Sequence, residues 1–205
     1  MASEPTPHVL VLAAGAGRRF GSPKQLARLG GETLIQAAVA RAVEVAGQAV
    51  TVVLGAHAAE VAPRLRASPA SVVVNRRWEE GLASSLRTGV AQLPGSTEGV
   101  LITLADQAGV TAMDLRRLVA EWRRQPDHVA AAAYQGHVGV PAIFPSLYFP
   151  ALLELKGDSG ARLLLRRLAD RTVHVPVPSA AIDIDTPEDL ARLSPGSAPP
   201  ASGGA

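Results

Sequence analysis

One stretch near the N-terminus constrains everything after it. Residues His8 to Leu26 read HVLVLAAGAGRRFGSPKQL. An apolar run from His8 to Ala14 breaks at Gly15-Ala16-Gly17 and continues into Arg18, Arg19, Gly21, Ser22, Pro23 and Lys24. A short apolar run closed by glycine reads as a strand buried on both faces. Glycines there let the backbone approach a ligand and turn its N–H groups toward an anion. Three cations follow within a few residues, and backbone donors combined with Arg and Lys suit a polyphosphate. Two common phosphate loops fit less well. The Gly-Lys-Ser/Thr string of a P-loop is absent. A dinucleotide loop opens straight into a helix, whereas Pro23 biases Ser22 away from helix. The next apolar run, Val50 to Leu54, ends in Gly55-Ala56-His57 without the acid that would bind a ribose. The plain alternative is a glycine-rich turn carrying surface arginines.

The length of 205 residues suits one domain with a full core, and 47% hydrophobic against 19% charged residues describes a globular chain. Without cysteine there is no disulfide, thiol catalysis or cysteine-bound metal. No run approaches the ~18 apolar residues of a membrane span, and residues 1–7 lack a signal-peptide pattern, so the expected compartment is the cytoplasm. Net charge is +2, aromatics are 3%, and no basic stripe is interleaved with aromatic residues, which argues against nucleic-acid binding. Of 20 basic residues, only Lys24 and Lys156 are lysines. Both lie beside glycine-rich turns.

Along the chain, residues 1–7 are expected to form a flexible arm, 8–193 the domain and 194–205 a disordered Pro/Gly/Ser/Ala tail. Apolar runs at Val50–Leu54, Ser71–Val74, Gly99–Leu104, Val129–Tyr134, Val138–Phe144 and Val173–Val177 read as strands. Helical periodicity covers Glu32–Ala46, Ala58–Arg66, Leu82–Gln92, a segment from Thr111 to about Arg124, Ser146–Leu155, Ser159–Ala169 and a last helix begun at Thr186. Pro141 predicts an edge or ligand-facing place for its strand. Alternating strands and helices give a single three-layer α/β/α domain with a mostly parallel, mixed, Rossmann-like sheet. Ligands bind at the carboxyl ends of such strands. The glycine loop, Asn75, Asp106 and the pair Asp183/Asp185 all fall there.

Asp106 follows a nearly apolar run, so its carboxylate needs a cation or hydrogen-bond donors. It is either a Mg²⁺ ligand beside phosphates or a turn residue. In Ile182-Asp183-Ile184-Asp185 the two carboxylates share one face and repel unless a positive group is near. Asp185 is the preferred second metal contact. Thr186 to Asp189 reads as a helix cap. Gly157-Asp158-Ser159-Gly160-Ala161-Arg162 reads as a helix start capped by Asp158, or as a helix end facing an anionic substrate. Gly81-Leu82-Ala83-Ser84-Ser85 either meets a base edge or caps its helix. The five histidines lack metal-ligand spacing.

LAAGAGRRFGSPKQL resembles the LAAG-x-G-x-R-x-G…PK-x-L opening of the sugar-nucleotide and cofactor nucleotidyltransferases. NRRWEEGLASSL (75–86), LITLADQ (101–107), GVPAIF (139–144), GDSGAR (157–162) and DIDTPEDL (183–190) are similar to the molybdenum cofactor cytidylyltransferase branch of that superfamily. The resemblance implies a Mg²⁺-dependent transfer of CMP from CTP to the terminal phosphate of molybdopterin, with release of pyrophosphate. A molybdoenzyme or its maturation factor is an implied further partner. It places the nucleotide on Leu12, Ala13, Ala14, Gly15, Gly17, Arg19 and Lys24, with Gly81, Ser84 and Ser85 by the base or ribose. Lys24, Arg19 and Asp106 would act in catalysis, and Asp106 with Asp185 would hold Mg²⁺. Two positions depart from the pattern on the acceptor side: Ala108 replaces a proline, and Val140 replaces a histidine before Pro141. The alternatives are transfer from GTP or to another phosphorylated acceptor and, as a different class, an NAD(P)H-dependent oxidoreductase. The missing ribose-binding acid argues against the last.

Overall fold

The computed structural model describes residues 5–158 and 160–193. The first half runs β1 (His8–Ala13), β2 (Arg28–Leu29), β3 (Glu32–Thr33), α1 (Leu34–Ala46), β4 (Val50–Leu54), α2 (Ala58–Val61), β5 (Ser71–Val74) and α3 (Leu82–Val90). Next come β6 (Gly99–Leu104), α4 (Ala112–Arg124), β7 (Val129–Tyr134) and β8 (His137–Pro145). The chain then continues through α5 (Phe149–Leu153), α6 (Arg162–Arg167), β9 (Thr172–Pro176) and α7 (Pro187–Leu193).

β1 shows why the sheet has a layer on each face. Val9, Val11 and Ala13 pack into one apolar cluster with Ile35, Ala38, Leu115 and Trp122 of α1 and α4. Leu10 and Leu12 point the other way, into a cluster with Leu86 of α3, Leu152 of α5 and Leu164 of α6. A strand apolar at every position is the signature of burial on both sides. The main sheet has the order β5-β4-β1-β6-β8-β7-β9. Every pairing is parallel except the two made by β8, so the mostly parallel, mixed three-layer fold is as expected.

Capping residues fix the helix starts. Thr33 and Thr111 form capping boxes with Gln36 and Asp114, each closing two otherwise unpaired backbone donors. The first helix therefore starts at Leu34 rather than Glu32, because Glu32–Thr33 pairs with Arg28–Leu29 instead. Thr186 caps α7 as expected, with Asp189 N donating to Thr186 Oγ1 at 3.2 Å.

Two expectations need correcting. Pro141 lies in an interior strand, so the edge placement fails, while the ligand-facing alternative stands, since Gly139 and Val140 of the same strand border a cavity. β6–β8 pairing stops at Ile102↔Ala142, and the β7–β8 register shifts between Ala131 and Ala132, so the proline falls where the ladder is interrupted. The helix expected from Ser159 begins only at Arg162, with Ala161 as its N-cap, so Asp158 does not cap it. Of the N-terminal arm, residues 1–4 lie outside the described residues, as does the expected tail from 194 onward. Pro7 is buried, and the Pro5 carbonyl accepts a hydrogen bond from Arg123 Nε of α4 at 2.9 Å. Among the described residues no helix is long and apolar enough to cross a membrane.

Candidate active site

The loop after β1 is tied down from behind. Gln25 Nε2 donates to the carbonyls of Ala13 (3.0 Å) and Gly15 (2.7 Å). Ala56 N donates to the Ala14 carbonyl at 3.2 Å. His57 Nε2 meets the Ala16 carbonyl at 3.1 Å. Four successive carbonyls are thus engaged by protein, and what the loop has left to offer a ligand is N–H groups. Gly17 turns with φ 62°, and a Cβ there would lie 2.8 Å from the Ser22 carbonyl, so the turn back toward Lys24 requires glycine. Beyond it, Lys24–Leu26 makes only a single 3-10 turn, as Pro23 predicts.

That loop floors a cavity of about 470 Å³. Leu12, Ala13, Ala14, Gly15, Gly17, Lys24, Gly81, Ser85 and Asp106 all border it. Arg18 also borders it, whereas Arg19 reaches outward to Asp185 at 2.8 Å. Ser84 is not on its wall. The Ser84 hydroxyl shares its one proton between the carbonyls of Arg77 (2.8 Å) and Gly81 (2.9 Å) and accepts from Asn75 Nδ2 at 2.8 Å. Ser84 and Asn75 therefore brace the start of α3, and of the two serines only Ser85 faces the cavity. Gly81 is needed for two reasons: its φ is 97°, and a Cβ would stand 2.3 Å from Asp158 Oδ1. Asp158, which does not cap α6, closes this side of the cavity.

Lys24 joins the distant parts. Its ammonium donates to Asp106 Oδ2 just beyond β6 and to Asp185 Oδ1 at 2.9 Å. The chain from 182 to 185 runs antiparallel beside 106–109. A bridge pairs Gln107 with Asp183, and Ile184 N donates to the Asp106 carbonyl at 3.0 Å. Two carboxylates thereby hold one lysine, with Asp183 close enough to feel the charge of all three. Burial alone pulls the Lys24 ammonium down, but Asp106 and Asp185 outweigh it and its pKa lies above the ordinary lysine value. Burial likewise pushes the Asp185 carboxyl up, and hydrogen bonds and charge from Lys24 and Arg19 reverse this to a net lowering. Asp183 has no such partner. Desolvation, then the charges of Asp106 and Asp185, push it up to about 6 although it keeps contact with solvent. Asp106 Oδ1 is shielded from water and makes no hydrogen bond. Asp106 and Asp185 would offer a cation at this junction carboxylate oxygens, the donor type of hard divalent ions.

The residues that sequence reasoning gave no role are two amides and Arg166, the partner of Arg162 from the Gly157–Arg162 stretch. Gln25 and Gln107 are almost fully buried, each holding two backbone carbonyls through Nε2. Arg162 and Arg166 border a second cavity of about 470 Å³, contiguous with the first through Leu12, Leu82, Leu104 and Asp158. The i, i+4 spacing of the two arginines was the available signal.

A scan of family models matches residues 9–173 to the MobA-like NTP transferase domain. Nicotine blue oxidoreductase of Paenarthrobacter nicotinovorans is 33% identical over 196 residues, covering 90% of this chain and 94% of that protein. Purine catabolism protein PucB of Bacillus subtilis is 32% identical over 193 residues, covering 87% and 91%. Among solved structures, Rv0371c from Mycobacterium tuberculosis superposes with a TM-score of 0.78 at 31% identity, covering 93% of this chain and 98% of that one. Its manganese complex gives a TM-score of 0.72 at 28% identity, covering 95% and 100%. This chain belongs to the MobA-like NTP transferase family as a nucleotidyltransferase.

Proposed function

We propose that this chain transfers CMP from CTP to the terminal phosphate of a molybdopterin-type acceptor, releasing pyrophosphate with the help of a divalent cation, Mg²⁺ by preference. The observation that carries the reading is the bridge from Lys24 to Asp106 and Asp185 at the mouth of a glycine-floored cavity. The cavity suits a nucleotide: N–H groups and Lys24 face the phosphates, and Gly81 and Ser85 lie across from them.

The residues fit a divalent metal. Asp106 Oδ1 is buried and unpartnered, and Asp185 stands on the other side of Lys24. Among the described residues no group of three or more His, Cys, Asp or Glu side chains forms a ready-made metal cage. Mg²⁺ ordinarily takes one or two carboxylates and completes its shell with phosphate oxygens and water, so Asp106 and Asp185 would hold it together with the nucleotide. When bound, it supplies charge neutralisation at the reacting phosphate. The manganese complex of Rv0371c is in keeping with such a site.

In the transfer, an acceptor phosphate oxygen forms a bond to the α-phosphorus and the bond to the β-phosphate oxygen breaks. A phosphate monoester is already ionised near pH 7, so no strong general base is needed. The protein's work is alignment and charge. The loop N–H groups and Lys24 hold the triphosphate and offset the negative charge on the departing pyrophosphate, while Arg19, which reaches away from the cavity, contributes through its ion pair with Asp185.

Pyrophosphate release from CTP, GTP, ATP and UTP with molybdopterin tests the proposal. CTP with Mg²⁺ is expected to lead. A preference for GTP would move the assignment to guanylyl transfer at the same site. No release with any nucleotide and phosphorylated acceptor would overturn it.

A further inference from the structure

The glycine loop is gripped from outside by the turn between β4 and α2. Gly55 packs against the loop so closely that a Cβ there would stand 2.5 Å from the Ala14 carbonyl. Ala56 N and His57 Nε2 take the carbonyls of Ala14 and Ala16, at 3.2 Å and 3.1 Å. Gln25 takes the other two, those of Ala13 and Gly15. A peptide plane turns over by changing ψ before it and φ after it, and glycine accepts the new φ at least cost. The planes held by Gln25 lead into Ala14 and Ala16, whereas those held by the β4–α2 turn lead into Gly15 and Gly17. The turn therefore restrains the two planes that glycine leaves free to flip. For the Ala14–Gly15 plane the restraint is a backbone N–H, which any residue at 56 except proline supplies. For the Ala16–Gly17 plane it is one side chain, His57.

The direction of that plane decides what a ligand meets. In a trans peptide the C=O and N–H point opposite ways. The Ala16 carbonyl is turned to His57, which is not on the cavity wall, so the Gly17 N–H points away from the ring, on the side where Gly17 borders the cavity. That N–H makes no hydrogen bond among the described residues. Were the plane to turn over, a carbonyl would face the phosphates and repel them. The ring nitrogens differ in what they can do here. A carbonyl only accepts, so Nε2 carries the hydrogen. Glu60 Oε1 lies 3.1 Å from Nδ1, and with the ring protonated it holds the other side.

We propose that His57 is a positioning residue for nucleotidyl transfer: its Nε2–H locks the Ala16–Gly17 peptide so that the Gly17 N–H faces the triphosphate. The inference rests on the transfer reading above for the loop as the seat of the triphosphate, and it is independent of the base and of the acceptor.

Three substitutions at one position test it. The amide nitrogen of glutamine lies about where Nε2 does and that of asparagine about where Nδ1 does, so His57→Gln keeps a donor for Ala16 while His57→Asn and His57→Ala lose it. CTP, GTP and pyrophosphate, each with Mn²⁺, are titrated by calorimetry into the wild type and the three variants, and Tm is measured beside them. His57→Asn and His57→Ala are expected to bind the preferred nucleotide and pyrophosphate about 10-fold or more weakly, the equivalent of one misdirected N–H toward a charged group, with His57→Gln within about threefold of wild type. In turnover the loss should fall on the nucleotide KM, with kcat within about threefold, because the loop holds the triphosphate alike in the ground and transition states. Wild-type affinity in His57→Asn and His57→Ala, even with a lowered Tm, would overturn the proposal. So would an equal loss in His57→Gln, a fall in kcat at unchanged KM, or a wild-type protein that binds none of the probes. Affinity that follows this pattern without pyrophosphate release would leave it standing and sink the transfer reading instead.

Discussion

Replacing Lys24 with methionine tests the centre of the site. Methionine keeps most of the apolar stem and removes the ammonium. Asp106 and Asp185 then lose the cation between them, and the exposed Arg19 remains as the positive partner of Asp185. Removing one member of a fully buried pair costs about 3–5 kcal/mol. Here the side chains of Lys24, Asp106 and Asp185 are 15%, 22% and 34% exposed, and solvent screening reduces the expected loss to about 2 kcal/mol. In a domain of this size that lowers Tm by about 4–8 °C. The effect on turnover should be larger in relative terms: loss of a preorganised charge at the phosphates lowers kcat by about 10²–10³. A third readout separates charge from packing. With Lys24 gone, nothing competes with a metal for Asp106, so millimolar Mn²⁺ should raise the Tm of Lys24→Met more than that of the wild type. Scanning calorimetry with and without Mn²⁺, beside pyrophosphate release, supplies all three numbers. Wild-type turnover, or identical Mn²⁺ shifts in the two proteins, would refute the view of Lys24 as the cation shared by these carboxylates.

Three further outcomes follow from the same geometry. Asp106→Ala should abolish metal-dependent turnover while circular dichroism shows an intact fold; near-normal turnover would remove Asp106 from the chemistry. Gly81→Ala forces a side chain into φ 97° and against Asp158, and should cost about 1–3 kcal/mol in urea unfolding together with a raised nucleotide KM; unchanged stability would show that the turn relaxes freely. Burial alone would raise the Asp114 carboxyl, but hydrogen bonds from Thr111 and Ser179 and the charge of Arg117 hold it below its ordinary value. Its contribution is therefore present above the unfolded pKa of about 4 and is lost as pH falls through the folded pKa. Asp114→Ala should cost about 1–3 kcal/mol at pH 7, and the gap to wild type should narrow near pH 3; a gap that is constant with pH would contradict the assignment.

The parts of the site that were legible in the sequence are those whose position follows from topology. In a parallel sheet, a polar residue just past an apolar run falls on the ligand rim. The glycine loop after β1 and Asp106 after β6 are neighbours because β1 and β6 pair in parallel, with Leu12 opposite Leu104. Asp183 and Asp185 were visible through their period-two spacing, and they reach the rim because 182–185 runs beside 106–109. What stayed hidden depends on backbone partners far off in the chain. Gln107 is held by carbonyls at Val140 and Ala180, 33 and 73 residues away, and no local pattern marks a glutamine as locked by such contacts. Ser84 misled for the opposite reason. A small hydroxyl at a helix start beside a pocket looks free, yet Asn75 and two carbonyls already satisfy it. Pro141 misled because β7 accommodates the break in its ladder with a register shift. A strand rule written for regular ladders does not anticipate an interior proline at a bulge. The same reasoning separates the two halves of the site. The first cavity is floored by loop backbone and motif residues close in sequence, so a motif describes that part of it. The second cavity is lined by Gln107, Tyr134, Arg162, Arg166 and Asp183, which meet only after β7, β8 and α6 have packed, so no single stretch of sequence describes it.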